Sequence, residues 1–177
     1  MSLPVISGSV LSGKKISLKR TIPEDIPMLM EFEANNNHYV SQYSHEKHHL
    51  LLNDPNCMHL SIVRNYDEQL VGLVLLFGIK DSNKVLEFRR IAIHEKGAGF
   101  GREAIQIVKR ICFEELRYHR LWLDVFDDNS RAIGLYESEG FILDGILREN
   151  VRTGDGFRSQ RIYSILEQEY ESSVDFN

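Results

Sequence analysis

Three glycines in seven residues, Lys96-Gly97-Ala98-Gly99-Phe100-Gly101-Arg102, stand between an apolar run, Arg90-Ile91-Ala92-Ile93, and a segment of helical pattern that reaches about Leu116. Glycine costs backbone entropy, and at a helix start its use is to let backbone N–H groups come close to a ligand. A helix N-terminus adds free N–H donors and about half a positive charge. Types and spacing fit the cradling of a phosphate. They fit equally well an ordinary strand-to-helix turn rich in glycine. A dinucleotide fingerprint needs Gly-x-Gly-x-x-Gly and an acid about 20 residues further on. Here the spacing is Gly97-x-Gly99-x-Gly101, and no Gly-Lys-Ser/Thr closes a Walker loop.

The elements that must position this stretch follow from periodicity. Alternation over residues 15–19 predicts a first strand. Thr21 as a cap, Pro23 and two acids open a helix over 24–34, with Ile26, Leu29, Met30 and Phe32 on its buried side. A short helix is expected over 46–52. Runs over 58–64, 70–79 and 85–93 have the spacing of antiparallel hairpins. After the glycines, Ala104, Ile105, Ile107, Val108, Ile111 and Cys112 share one helix face. Residues 120–126 alternate as a strand, 131–138 form a helix closed by Gly140, and 141–151 and 157–166 are two strands joined around Thr153-Gly154-Asp155-Gly156. The chain shows no repeat and no linker. It suits one domain, 1–177, with a core of about 14–168 and flexible ends at 1–12 and 169–177.

The net charge of −5 argues against broad binding to nucleic acid or to an anionic membrane, and mildly favours a cationic substrate. Cys57 and Cys112 match no metal or redox spacing, so no metal is expected and a reducing compartment is. No apolar run has transmembrane length, and residues 1–12 lack the pattern of a secretion signal. The expected location is the cytoplasm. His38, His45, His48, His49 and His59 are expected at the surface.

Lys96-Gly97-Ala98-Gly99-Phe100-Gly101 resembles the pyrophosphate loop of the GCN5-related N-acetyltransferases (GNAT), written Gln/Arg-x-x-Gly-x-Gly/Ala, with Lys96 in the first place. Lysine keeps the charge there and loses the guanidinium fork. A second block, Asn129-Ser130-Arg131-Ala132-Ile133-Gly134-Leu135-Tyr136-Glu137-Ser138-Glu139-Gly140-Phe141, is similar to the other signature of that family. Both occur in order and in matching contexts. Within the family, the opening strand and helix and the closing hairpin look most like the enzymes that acetylate ribosomal-protein N-termini and the related spermidine enzymes.

The resemblance implies an α+β fold: a mixed, mostly antiparallel central sheet of about seven strands, flanked by about four helices and splayed between two central parallel strands. It implies acetyl transfer from acetyl-CoA to a primary amine, a protein N-terminus or a small amine, by direct attack. The alternatives are a polyamine or small-molecule acetyltransferase, and a catalytically idle acyl-CoA sensor. Backbone N–H groups of Gly97, Ala98, Gly99, Phe100, Gly101 and Arg102, with Lys96, would hold the pyrophosphate. Ile91, Ala92 and Ile93 would pair with the pantetheine arm, and Asn129 would contact it or cap its helix. Tyr136 would give a proton to the departing sulfur, and Glu87 would take one from the amine, unless a water chain does so. Glu87 paired with Arg89 or Arg64 is the structural alternative. The acceptor would lie between Asn36, His38, Tyr39 and Tyr43 on one side and the hairpin over 148–157 on the other, with Glu149 and Asp155 near a cationic acceptor. The closing strands could support a homodimer.

Overall fold

A computed structural model describes residues 11–174. Eight strands form one sheet in the order β1-β2-β3-β4-β5-β6-β8-β7. They are β1 (Leu11–Ser12), β2 (Ile16–Arg20), β3 (Cys57–Arg64), β4 (Leu70–Phe77), β5 (Val85–Ile93), β6 (Arg120–Phe126), β7 (Ile142–Thr153) and β8 (Gly156–Leu166). Five helices flank it: α1 (Ile26–Asn35), α2 (His45–Leu52), α3 (Phe100–Arg110), α4 (Ser130–Ser138) and α5 (Glu167–Val174). Every neighbouring pair is antiparallel except β5 and β6. The expected α+β architecture is therefore present, with a short extra strand at one edge and an extra helix at the end of the chain.

The two sheet faces carry different cores. On one, Ala104, Ile105 and Val108 of α3, with Ile111 just after it, share a core with Ile16, Ile62, Val74 and Leu121. On the other, Leu29 and Phe32 of α1 and Leu51 of α2 cover Leu73, Leu75 and Ala92. Acid at the start of α3 (Glu103) and bases at its end (Lys109, Arg110) match the helix dipole. Ser44 caps α2 by accepting from Lys47 N–H at 3.2 Å. The helical run expected to reach about Leu116 extends to Glu115, with Ile111–Glu115 wound as a π-helix directly after α3.

Several expectations are corrected. The acidic tail expected to fray is α5, where Tyr170 stacks on Phe113 and donates to Glu114 at 2.5 Å. Of the start expected to be flexible, Leu11–Ser12 pair with β2, and residues 1–10 lie outside the described residues. Thr21 caps nothing: it is buried and bonded to Ser61 and His59. His48 and His59 are buried rather than exposed, because α2 turns His48 and Leu51 together onto the sheet.

Candidate active site

The site is built where the sheet comes apart. β5 and β6 pair only at Val85↔Arg120, Leu86↔Leu121 and Glu87↔Trp122. Beyond Glu87 the two strands part. β6 stays zipped to β8 along its whole length, Arg120↔Leu166 to Phe126↔Gln160. β5 stays on β4, but its register shifts between Leu75 and Leu76, leaving Arg89 as the extra residue of a bulge. A bulge sharpens the local twist and re-aims the strand. The outer edge of β5 from Phe88 to Ile93 is thus left without a strand partner and opens on a cavity of about 1080 Å³.

One end of this cavity is the glycine loop. Gly97 has φ 89° and Gly99 φ 86°, the left-handed region that disfavours any residue with a Cβ. Gly99 is the residue that opens α3, and no side chain caps that helix. Its first N–H groups therefore lack partners within the helix, and Phe100, Gly101 and Arg102 line the cavity. Lys96 lies there too and makes no ion pair among the described residues, whereas Arg102 is drawn to Glu139. Lys15, which the sequence did not single out, donates its ammonium to the Ala98 carbonyl at 2.9 Å and stiffens the loop from behind. A methyl group at Gly99 meets Lys15 Nζ at 3.1 Å on a backbone that already strains an L-residue. Gly99→Ala is expected to cost about 1–2 kcal/mol of loop geometry, read by calorimetry as roughly tenfold weaker acetyl-CoA binding. Unchanged affinity would remove this loop from the site.

Midway along the cavity stands Tyr136 of α4, wedged between Phe88 and Phe141 at ring separations of 6.5 and 5.8 Å. Tyr136 lines the cavity, and its hydroxyl has no hydrogen-bond partner among the described residues. Burial, and then the charge of Asp124, push the phenol well above its ordinary value, so it keeps its proton. Asn129 caps α4 by accepting from Ala132 N–H at 3.2 Å while also facing the cavity.

The residues expected to serve together are not all brought together. Ile91 and Ile93 line the cavity; Ala92 packs into the core under α1, and Ala98 turns its carbonyl to Lys15. Glu87 is not in the cavity wall. Its carboxylate is gripped by Arg89, with Arg89 Nη2 at 2.6 Å, which is the Arg89 pairing set out as the alternative. Of the residues expected on the acceptor side, Asn36, Tyr39 and Tyr43 line the cavity but His38 does not, and of the hairpin over 148–157 only Val151 reaches it. Glu149 and Asp155 stay outside it.

Two polar residues of the cavity wall were not expected. Asp124 of β6 lines the cavity, accepts from Gln160, and is raised by burial and then by the Glu87 charge. Its signal was an acid inside the Leu121, Leu123, Val125 alternation, on the strand beside the splay. Arg90 of β5 also lines the cavity, stacks on the Tyr43 ring at 3.6 Å and is bound by the buried Glu33. Nothing in the local pattern pairs residues 33 and 90.

Comparison with known proteins gives the following. A family model described as acetyltransferase (GNAT) family matches residues 27–141. A spermidine N(1)-acetyltransferase of Vibrio cholerae is 31% identical over 110 residues, 62% of this chain and 64% of that one. A prophage-derived N-acetyltransferase of Bacillus subtilis is 29% identical over 107 residues, 59% of this chain and 60% of that one. The matched segment thus spans less than two thirds of either relative. Among solved structures, a mutant spermidine/spermine N-acetyltransferase of Vibrio cholerae superimposes with a TM-score of 0.80 at 24% identity, covering 92% of this chain and 99% of that one. The dodecameric spermidine N-acetyltransferase of the same organism gives 0.77 at 24% identity over 89% and 97%. These structures share the fold.

Proposed function

The chain belongs to the acetyltransferase (GNAT) family, and from that premise we propose that it transfers an acetyl group from acetyl-CoA to a primary amine. The observation that carries the reading is the parted β5–β6 pair, with a glycine-rich helix start at one end of the opening and an unpartnered phenol inside it. The residues present fit acetyl-CoA. Free N–H groups and Lys96 suit the pyrophosphate, and the unpaired β5 edge at Ile91 and Ile93 suits an amide-bearing arm. When bound, acetyl-CoA supplies an activated acetyl thioester.

The chain supplies the proton handling. Asp124, in the cavity and raised by burial, is better placed than Glu87 to take the proton of the incoming ammonium. Glu87, held by Arg89, then acts on Asp124 through its charge rather than as the base itself. A backbone N–H near Ile91 faces the carbonyl oxygen as negative charge gathers on it. Tyr136 gives its proton to the departing sulfur. Atoms balance: Asp124 takes one proton of the ammonium, the amine nitrogen gains the acetyl carbon as the carbon–sulfur bond breaks, sulfur takes the Tyr136 proton, and the second proton shed by the nitrogen restores the phenol.

The acceptor is a peptide N-terminus or a small amine, polyamines included; the named relatives favour the polyamine. Ile142, Ile146 and Leu147 on β7, the free edge strand of the sheet, and Phe157 on neighbouring β8 are exposed apolar residues, and we assign that edge to a second copy of the chain. No helix among the described residues is long and apolar enough to cross a membrane. Both cysteines are buried and free, with Cys57 pushed up to about 12 by burial and then by Asp54, which suits a reducing cytoplasm.

Thiol release from acetyl-CoA against a panel of N-terminal peptides, spermidine and aminoglycosides tests the reading. Turnover with at least one primary amine is expected. Tight CoA binding with no turnover on any amine would instead support an acyl-CoA sensor.

A further inference from the structure

Behind the acceptor wall runs an unbroken file of hydrogen-bonded side chains through an otherwise apolar layer. Arg90 donates to Glu33 Oε1. Glu33 Oε2 accepts from the Tyr43 amide at 2.9 Å and faces His48 Nε2 at 3.3 Å. His48 Nδ1 meets His59 Nε2 at 2.9 Å, and His59 Nδ1 meets Thr21 Oγ1 at 2.9 Å. Thr21 Oγ1 lies 2.9 Å from Ser61 Oγ, which donates to Asp25 Oδ2 at 2.6 Å. The Glu33 and His48 side chains are wholly buried, and His59 nearly so. Around them stand Leu29, Phe32, Leu51 and Leu75. Apolar residues of similar volume would hold this layer equally well, so stability alone does not account for the file.

The protons can be counted. From Glu33 to Asp25 there are five side-chain hydrogen bonds, and each needs one proton. Neutral His48, neutral His59, Thr21 and Ser61 bring four. Ionised carboxylates at the two ends only accept. From the Asp25 end the directions are then forced: Ser61 gives to Asp25, Thr21 to Ser61, His59 Nδ1–H to Thr21 and His48 Nδ1–H to His59. His48 must still offer Nε2–H to Glu33. The fifth proton therefore sits on His48, against the Glu33 charge. His59 is the neutral member, consistent with burial and the His48 charge pushing it down to about 4. Burial raises Glu33, but hydrogen bonds from His48 and the Tyr43 amide and the Arg90 charge outweigh it and hold the carboxyl below its usual value.

The file cannot conduct a proton out of the cleft, because its inner end is an arginine, which stays charged. What it can do is fix position. Glu33 ties together β5 through Arg90, the loop before α2 through the Tyr43 amide, and α2 through His48. Arg90 and Tyr43 are both walls of the acceptor side. Building on the acetyltransferase reading, we propose that Glu33 with the protonated His48–His59 pair is the positioning unit of the acceptor half of the cleft. The charged and titratable groups facing His48 are Glu33 from α1, His59 from β3, Arg90 from β5 and Tyr43 from the preceding loop, with Asp25 at the far end of the file. Without the fifth proton one bond of the file must open, and Glu33 loses a donor. Arg90 and Tyr43 are then less firmly held. The glycine loop is built from other elements and is not affected.

Two measurements test this. The first is nitrogen NMR of histidine-labelled wild-type protein. It should show three protonated ring nitrogens and one bare one across His48 and His59 at pH 6. Only two protonated nitrogens at pH 6 overturns the proposal, whatever the enzyme acetylates. The second is kinetic, with the best acceptor of the panel. Glu33→Gln and His48→Gln should each raise acceptor KM about tenfold near pH 6.5 with acetyl-CoA KM within twofold. Unchanged acceptor KM, or equal rises in both KM values, overturns it. If no amine is acetylated by the wild type, the functional reading fails, and the NMR proton count still decides the file.

Discussion

Tyr136→Phe is expected to lower turnover about a hundredfold, the low end of what a positioned proton donor contributes, while acetyl-CoA affinity stays within twofold. The ring packs against Phe88 and Phe141, and phenylalanine preserves that packing. Only the hydroxyl is lost, and it has no partner among the described residues to leave stranded. The loss therefore falls on the step in which sulfur departs and not on binding. The pH dependence has a definite sign. Burial and then the Asp124 charge raise this phenol above its ordinary value, so the proton needed for catalysis is retained through and above pH 10. Wild-type turnover should show no basic limb from this group up to about pH 10. The contribution of the group to stability is complete below that pH and lost only above it. Steady-state rates across pH 6–10, with calorimetry for CoA, check both parts. Equal rates for wild type and variant would assign the proton to another donor.

Glu139→Ala is expected to destabilise the protein by about 3 kcal/mol, because removing one partner of a buried ion pair leaves the other uncompensated. Glu139 follows α4 and is nearly buried. Three residues of α3, spaced four and three apart, converge on its carboxylate: Arg102, Gln106 at 3.3 Å and Lys109 at 3.0 Å. Lys109 also donates to the Glu139 carbonyl at 2.8 Å, and that bond survives the substitution and keeps the loss at the lower end of the range. The clamp joins the helix that opens on the glycine loop to the helix that carries Tyr136. Urea unfolding should show the loss with little change in slope. Lys109→Met together with Glu139→Leu should recover most of it, since the buried charge and its partner leave together. A loss under about 1 kcal/mol for Glu139→Ala would mean that Lys109 finds water or another acceptor.

Local pattern made most of the architecture legible. β5 and β6 were placed to the residue because their apolar runs are bounded by turn residues. The glycine loop and Tyr136 lie in contiguous blocks whose spacing is itself the signal. What stayed hidden was pairing across the sheet. Glu87 looks poised when the strand is counted from Ile93, but the bulge at Arg89 brings Arg89 onto its carboxylate and leaves it outside the cavity. His48 looks like one of several surface histidines, because its two partners lie 15 residues back and 11 residues on, on other elements. The tail reads as a frayed acidic end because the stacking of Tyr170 on Phe113 is a long-range event. Properties carried by neighbours in sequence were readable, and those carried by neighbours in space were not.

The parting of β5 and β6 also bears on how the molecule holds together mechanically. Backbone continuity across the sheet rests there on three residue pairs, while each flanking seam is bonded over six or more. The sheet is therefore two plates hinged at a short joint, β1 to β5 on one side and β6 to β8 on the other. Cooperativity between the plates has to be carried by the helices that bridge them, and by whatever strand-like ligand lies in the gap. A ligand bonded to the edge of β5 completes an interrupted sheet, so occupancy of the cleft and rigidity of the whole fold become one equilibrium.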